Sequence, residues 1–187
     1  YKLLKAYRAI AEQVRKERLV NSITTAIRSS LDPDEILEIA TQELGQALQV
    51  CRCLIYRCKA TDATAQITHE FLLEGVNPLV GQTWPLQTNP VFKAVLARQG
   101  SVAIQDIQQP NIAELDPKAF EGYFQDTIER WQIGAWLMVP LMYRGKLLGT
   151  IELHQCYSLP HIWQDSELML VDAIAAQVSV ALIQAET

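Results

Sequence analysis

Cysteine, basic clusters and long apolar runs are all scarce in this 187-residue chain, and each shortage excludes something. There are four cysteines, Cys51, Cys53, Cys58 and Cys156. Cys51 and Cys53 lie two apart on one run of β-formers, too close and too parallel for an easy disulfide. A disulfide-stapled secreted scaffold is therefore not expected, and a reducing, cytoplasmic setting fits better. The formal charge of −5 is mild and no basic stripe occurs, which argues against nucleic acid and membrane surfaces as partners. No uninterrupted apolar run approaches the ~18 residues that cross a bilayer. Neither a Ser-His-Asp pattern nor a phosphate-binding loop is present, and the glycines of YRGKLLG are explained by a hairpin turn. The domain is thus not expected to be an enzyme. It opens on Tyr1, as a segment of a longer protein would.

What is present is core. Apolar residues make up 49% and charged residues 20%, enough for one domain without staples. Residues 1–29 carry Leu3, Tyr7, Ile10 and Val14, then Val20, Ile23 and Ile27, at helical spacing with a slip of phase between the two sets. SSLDPDE ends that helix and starts another, with Asp32 as N-cap, Pro33 at the first helical position and Glu35 at the third. VCRCLIYRC reads as a strand and AQITHEFLL as its hairpin partner. A loop rich in Gly, Pro and Asn leads to a helix over 90–99, closed by Gly100 in the left-handed conformation. SVAIQDI follows as a strand, then a helix over 118–132, then two antiparallel strands joined at Arg144-Gly145.

The final helix, over 163–185, places Leu168, Val171, Ala175, Val178, Leu182 and Ala185 on an a/d seam, with Leu170, Ile174 and Ala181 as a second apolar edge. Both edges need burial. The expectation is that one covers the sheet and the other meets a partner helix, giving a homodimer through a helical bundle. Its interface would hold Leu3, Tyr7, Ile10, Val14, Val171, Val178 and Leu182. The plainer alternative lays both terminal helices on their own sheet. The element order predicts class α+β: an antiparallel sheet of five or six strands with flanking helices. A linker or dimerisation helix over 1–30 would precede a domain over 31–187.

DPDEILEIATQELGQALQVCRCLIYR, VAIQDI, WLMVPLMYRGKLLGTIELHQC and WQDSELMLVDAIAAQVSVAL together resemble a GAF domain over about residues 32–185. LHQCYSLPHIWQDSEL resembles the cyanobacterial phytochrome and cyanobacteriochrome subset, where a strand ending His-Gln-Cys runs through proline and tryptophan into the last helix. The resemblance implies a GAF fold and a sensory module joined to further GAF or output domains, such as a histidine kinase. Input would reach the output domain as a change of helix rotation or register. It also implies a pocket on one side of the sheet. In bilin-binding members that pocket holds a linear tetrapyrrole, attached to a cysteine followed by a histidine on the helix before WLMVPL. Aligned back from Pro140 through Trp131, those places hold Tyr123 and Phe124, and neither forms a thioether. No cofactor is expected, with a tetrapyrrole or nucleotide held without a covalent bond as the alternative.

The resemblance sets His154 and Asp106 at the pocket edge. On their own terms, His154 is equally a histidine bonded to backbone where strand meets helix, and Asp106 a turn residue. Trp84, Tyr123, Phe124, Trp131 and Trp136 either line an aromatic cavity or fill it with their own side chains. Cys51, Cys53 and Cys58, with His69, have the residue types of a redox or metal sensor. Their spacing along an extended strand is too long for one tetrahedral ion, so no metal is expected. One branch of the family reduces free methionine sulfoxide with pocket cysteines, but no nucleophile–resolver pair is evident between the first and last strands.

Overall fold

Capping residues set the helical frame. α1 (Lys2–Arg28) ends beside Asp32, whose side chain accepts the Asp34 N–H at 3.0 Å and opens α2 (Pro33–Leu48). β1 (Arg52–Arg57), β2 (Thr64–Gln66), β3 (His69–Leu72) and β4 (Thr83–Pro85) follow. Asn89, accepting from the N–H groups of Val91 and Phe92, starts α3 (Pro90–Arg98). Then come β5 (Val102–Ile104), α4 (Pro117–Tyr123), β6 (Ile133–Tyr143), β7 (Lys146–Cys156) and α5 (Asp165–Glu186). The structure, a computed structural model, describes residues 1–123, 128–156 and 161–186.

Five strands form an antiparallel sheet in the order β3-β1-β7-β6-β5, the α+β architecture expected. The stretch read as one hairpin partner divides. β3 returns along β1, whereas β2 leaves to pair with β4 in a separate ribbon. The left-handed cap of α3 is Gln99 (φ 54°), one residue before Gly100, with its N–H on the Val95 carbonyl at 2.8 Å. The Arg144-Gly145 turn has positive φ at both residues, 50° and 77°, as the tight hairpin turn requires.

Alternation along the strands makes two cores. Cys53, Ile55, Leu137, Val139, Ile151 and Leu153 face the helical layer, where α5 packs on β6, α2 on β1 and β3, and α1 on both helices. Leu54, Tyr56, Ile104, Trp136 and Met138 face α3, α4 and the long loops.

α5 departs from expectation. Val171, Val178 and Leu182 are fully buried within the chain, and Leu170, Ile174 and Ala181 are buried beside them. The helix is wedged between the sheet and the α1–α2 pair, so both apolar edges are used internally and the seam does not face outward. α5 does have the length and composition of a bilayer-crossing helix, contrary to the run-length reading, and packing of both edges in the core accounts for that composition. α1 is different: only Ile23 and Ile27 enter the core, while Leu3, Tyr7 and Ile10 are 85%, 70% and 64% exposed.

Gly149 permits the close approach of β7 to β1, since a β-carbon there would run into the backbone carbonyl of Tyr56. Gly149→Ala is therefore expected to cost about 1–3 kcal/mol, roughly 2–4 °C in Tm for each kcal/mol. Gly122→Ala, whose β-carbon would meet nothing within 4 Å, should not lower Tm. Thermal melts followed by circular dichroism compare the two.

Candidate functional site

The second core contains charge. Arg52, Tyr56, Trp136, Glu152 and His154 point to one side of the sheet, because they occupy alternate positions and Arg52 and Trp136 both pair with His154. Arg52, Glu152 and His154 are 1%, 0% and 1% exposed. Glu152 accepts from Trp136 Nε1 at 2.9 Å, from His154 Nε2 at 3.0 Å, and from the Tyr56 hydroxyl. His154 Nδ1 lies 3.1 Å from Arg52 Nη1. A guanidinium only donates, so Nδ1 accepts and the ring proton sits on Nε2, facing Glu152. The imidazole is neutral. Burial holds its pKa below the ordinary histidine value, against the pull of Glu152.

Arg52 also donates to the carbonyls of Trp131, at 3.3 Å, and Asn77, and its Nε lies 3.9 Å from Glu70. Glu70 in turn accepts the Leu79 N–H at 2.6 Å. Burial lowers the pKa of Arg52 and raises that of Glu70. Burial, reinforced by Glu152, pushes the Tyr56 phenol well up, so it remains a donor. Around these groups stand rings: His154 meets Trp136 edge-on at 5.4 Å, and Tyr123 and Trp84 each lie 6.3 Å from it.

Trp84, Tyr123, Trp136 and His154 thus come together. Asp106 does not join them; it is exposed, and its side chain accepts the Gln108 N–H at 3.0 Å in a turn. Phe124 lies outside the described residues. Reading the residues missed Arg52, Tyr56 and Glu152. The signal was there in the period of two, since Glu152 must share a face with His154, and Arg52 with Leu54 and Tyr56. The loop after β5 and α4 border an open cavity of about 510 Å³ lined by Ile107, Gln108, Pro110, Ile112, Leu115, Pro117, Phe120 and Glu121.

The three early cysteines do not share a site. Cys53 faces the helical core, Cys58 the aromatic core, and Cys51 the end of β7. Among the described residues no three His, Cys, Asp or Glu side chains gather as a metal would need. At the corner leading into α5, Trp163 is buried and donates to the Ile104 carbonyl at 3.1 Å. His161 stacks edge-on against it at 4.5 Å, and Glu167 accepts the Gln164 N–H at 2.9 Å. The corner pins the start of α5 to β5.

Glu152→Ala would strand three buried donors and should cost about 3–5 kcal/mol in urea unfolding, whereas Tyr56→Phe removes one bond and should cost about 1.5–3 kcal/mol. A pH dependence follows from His154. Its folded pKa is depressed, so on acidification the unfolded chain takes up the proton first; the contribution is complete above roughly pH 6.5 and lost as pH falls through that value. Glu70, raised by burial, acts in the opposite sense. The diagnostic is therefore a difference: between roughly pH 7.5 and 5.5 the wild type should lose more stability than His154→Gln, and equal slopes would refute the assignment.

Residues 32–182 match the model of the GAF domain family. Over 188 residues the chain is 30% identical to the circadian input-output histidine kinase CikA of Thermosynechococcus vestitus, a match covering 95% of this chain and 24% of that protein. The CikA of Synechococcus elongatus is 28% identical over 197 residues, covering 95% and 25%. The chain spans about a quarter of the length of these curated relatives. The phycoerythrobilin-bound GAF domain of a cyanobacterial phytochrome superimposes with a TM-score of 0.73 at 22% identity, over 91% of this chain and 96% of that one, a likeness of fold. The chain belongs to the GAF domain family.

Proposed function

We propose that this GAF domain is a cytoplasmic relay module of a multidomain signalling protein, such as a sensor histidine kinase. It carries no covalent bilin and pairs with a second copy through its outer helices. The observation that carries the reading is the buried network on the sheet face where the resemblance puts a pocket: Tyr56, Trp136 and His154 converge on Glu152, and Arg52 bonds His154. Tyr123, at the place where the resemblance puts an attachment cysteine, stacks on Trp136 of that network.

The pairing surface differs from the seam read in the sequence. Leu3, Tyr7, Ile10 and Val14 lie exposed along α1. On α5 the outward residues are Met169, Ala173, Ala176, Val180 and Ile183, exposed or half-buried, and they again alternate by four and three. Met169→Glu with Val180→Glu should give a folded monomer by sedimentation velocity, and a surviving dimer overturns the helical interface. Val178→Glu places the charge in the core and should unfold the domain instead.

The cavity beside α4, apolar except for Gln108 and Glu121, favours a second reading, a sensor of a flat molecule such as a tetrapyrrole or a nucleotide held without a covalent bond. Protein purified from cells that make phycocyanobilin should be colourless under the relay reading. Colour that leaves on denaturation would support the second reading. Zinc-induced fluorescence after denaturation would mean a covalent bilin and overturn both.

A further inference from the structure

β1 and β7 bring together two cysteines that the chain separates by 105 residues. Cys51 stands just before β1 and Cys156 ends β7. In the register that pairs Arg52 with His154, Cys51 falls opposite Gln155 and next to Cys156. The ladder is irregular here: the Cys51 N–H donates to the His154 carbonyl at 3.1 Å, one position off the regular partner. That offset turns the Cys156 N–H onto Cys51 Sγ at 3.3 Å, while the Cys51 thiol donates to Gln155 Oε1 at 3.2 Å. The Cys156 backbone thus touches the Cys51 sulfur, and Cys51 is near enough to act on the Cys156 thiol. Strands about 4.8 Å apart also hold such a pair within the span a disulfide bridges. The pair of thiols that reading the sequence did not find is therefore present, on the first and last strands.

We propose that Cys51 and Cys156 form a reversible intramolecular disulfide, giving this domain a thiol-oxidation input for small peroxides at the rim of the buried network. Cys156 is the more exposed of the two, so peroxide reaches it first. Its thiolate attacks the O–O bond and takes one oxygen as sulfenic acid, and the hydroxide released becomes water. The Cys51 thiolate then attacks that sulfur; the S–S bond forms as the S–O bond breaks, and a second water leaves. Two thiols give up two electrons and two protons, and one peroxide becomes two waters. A small-molecule thiol such as glutathione reverses the bond by exchange.

The Arg52 guanidinium is close enough to the Cys156 sulfur to favour its thiolate form. Burial, with the adjoining Cys51, nevertheless holds the Cys156 thiol up at about 12. Oxidation is accordingly slow at neutral pH and quickens as pH rises toward that value, a response to sustained rather than brief exposure. Cys53 points into the helical core and Cys58 lies past the far end of β1, so neither competes.

The test uses the reduced wild-type chain, treated with hydrogen peroxide and, separately, equilibrated in a glutathione redox buffer. Free thiols are then alkylated and the protein digested with trypsin without reduction. Cleavage after Arg28, Arg52, Arg57, Lys59 and Lys146 puts the four cysteines on four peptides. The expected result is a monomer on a non-reducing gel, lighter by two hydrogens, with the peptide beginning at Ser29 linked to the one beginning at Leu147. Cys58→Ser should form the same link and Cys156→Ser none. Four alkylated thiols after both treatments, a link through Cys53 or Cys58, a link between copies, or oxidised sulfur without the link would each overturn the proposal.

Discussion

Burying Arg52 and Glu152 against the middle of the sheet is the constraint that the rest of the structure obeys. Removing a charged group from water costs several kcal/mol, a cost that partners inside the fold offset. Arg52 takes the carbonyls of Trp131 and Asn77, with Glu70 and His154 beside it; Glu152 takes Tyr56, Trp136 and His154. Those partners come from four strands and from the loops before β6 and after β3, so the network dictates where both loops close over the sheet. It also fixes strand register. A slip of one residue would carry Arg52 to the helical side, among Ile36, Leu44 and Val178, where nothing could receive its five donors. Apolar alternation alone discriminates less sharply, because both faces of this sheet are buried.

One sheet serves two cores, and this shapes what the domain can transmit. Leu153 packs in the helical core between Glu152 and His154, which point the other way. A shift of the β7 backbone therefore moves both faces together. The helical layer is also tied to the far edge through Trp163, buried with α5 yet bonded to the Ile104 carbonyl of β5. Rearrangement of the polar network thus has a continuous mechanical path to α5. Relay along that path further requires two arrangements of the strands close in energy.

The helices were legible in the sequence because their signals are local. Asp32 and Pro33 open α2 as capping chemistry says they should, and Arg144-Gly145 turns the β6–β7 hairpin. The buried network was not legible, for a physical reason. A charged residue in a strand ordinarily marks a solvent face, and nothing in the stretch VCRCLIYRC separates an inward arginine from an outward one until its partners on β3, β6 and β7 are in place. His154 was found through the family resemblance and Trp136 among the aromatic residues, while Glu152, two residues from His154 on the same face, was passed over. The stripe on α5 failed differently. Its spacing is that of a coiled-coil seam, but spacing cannot say whether the facing helix belongs to the same chain. Here α1 and α2 supply it.

The packing of α5 also decides how it can carry a signal. Rotating the helix by one residue, about 100°, would draw Val171, Ile174, Val178 and Leu182 out of the core. At about 1.5–3 kcal/mol for each side chain, that is comparable with the whole stability of a domain. Rotation of α5 alone is therefore closed to it, which leaves register, the other change that the resemblance implied. Translation or tilt of α5 together with the sheet keeps those contacts, and both are directed outward by the stripe through Met169, Ala176 and Val180. α1 faces no such restriction over its first half, since nothing before Ile23 is fully buried. The two terminal helices are therefore unequal partners: α5 moves with the sheet, and the free half of α1 is the part able to change its packing against a neighbour at little cost to the core.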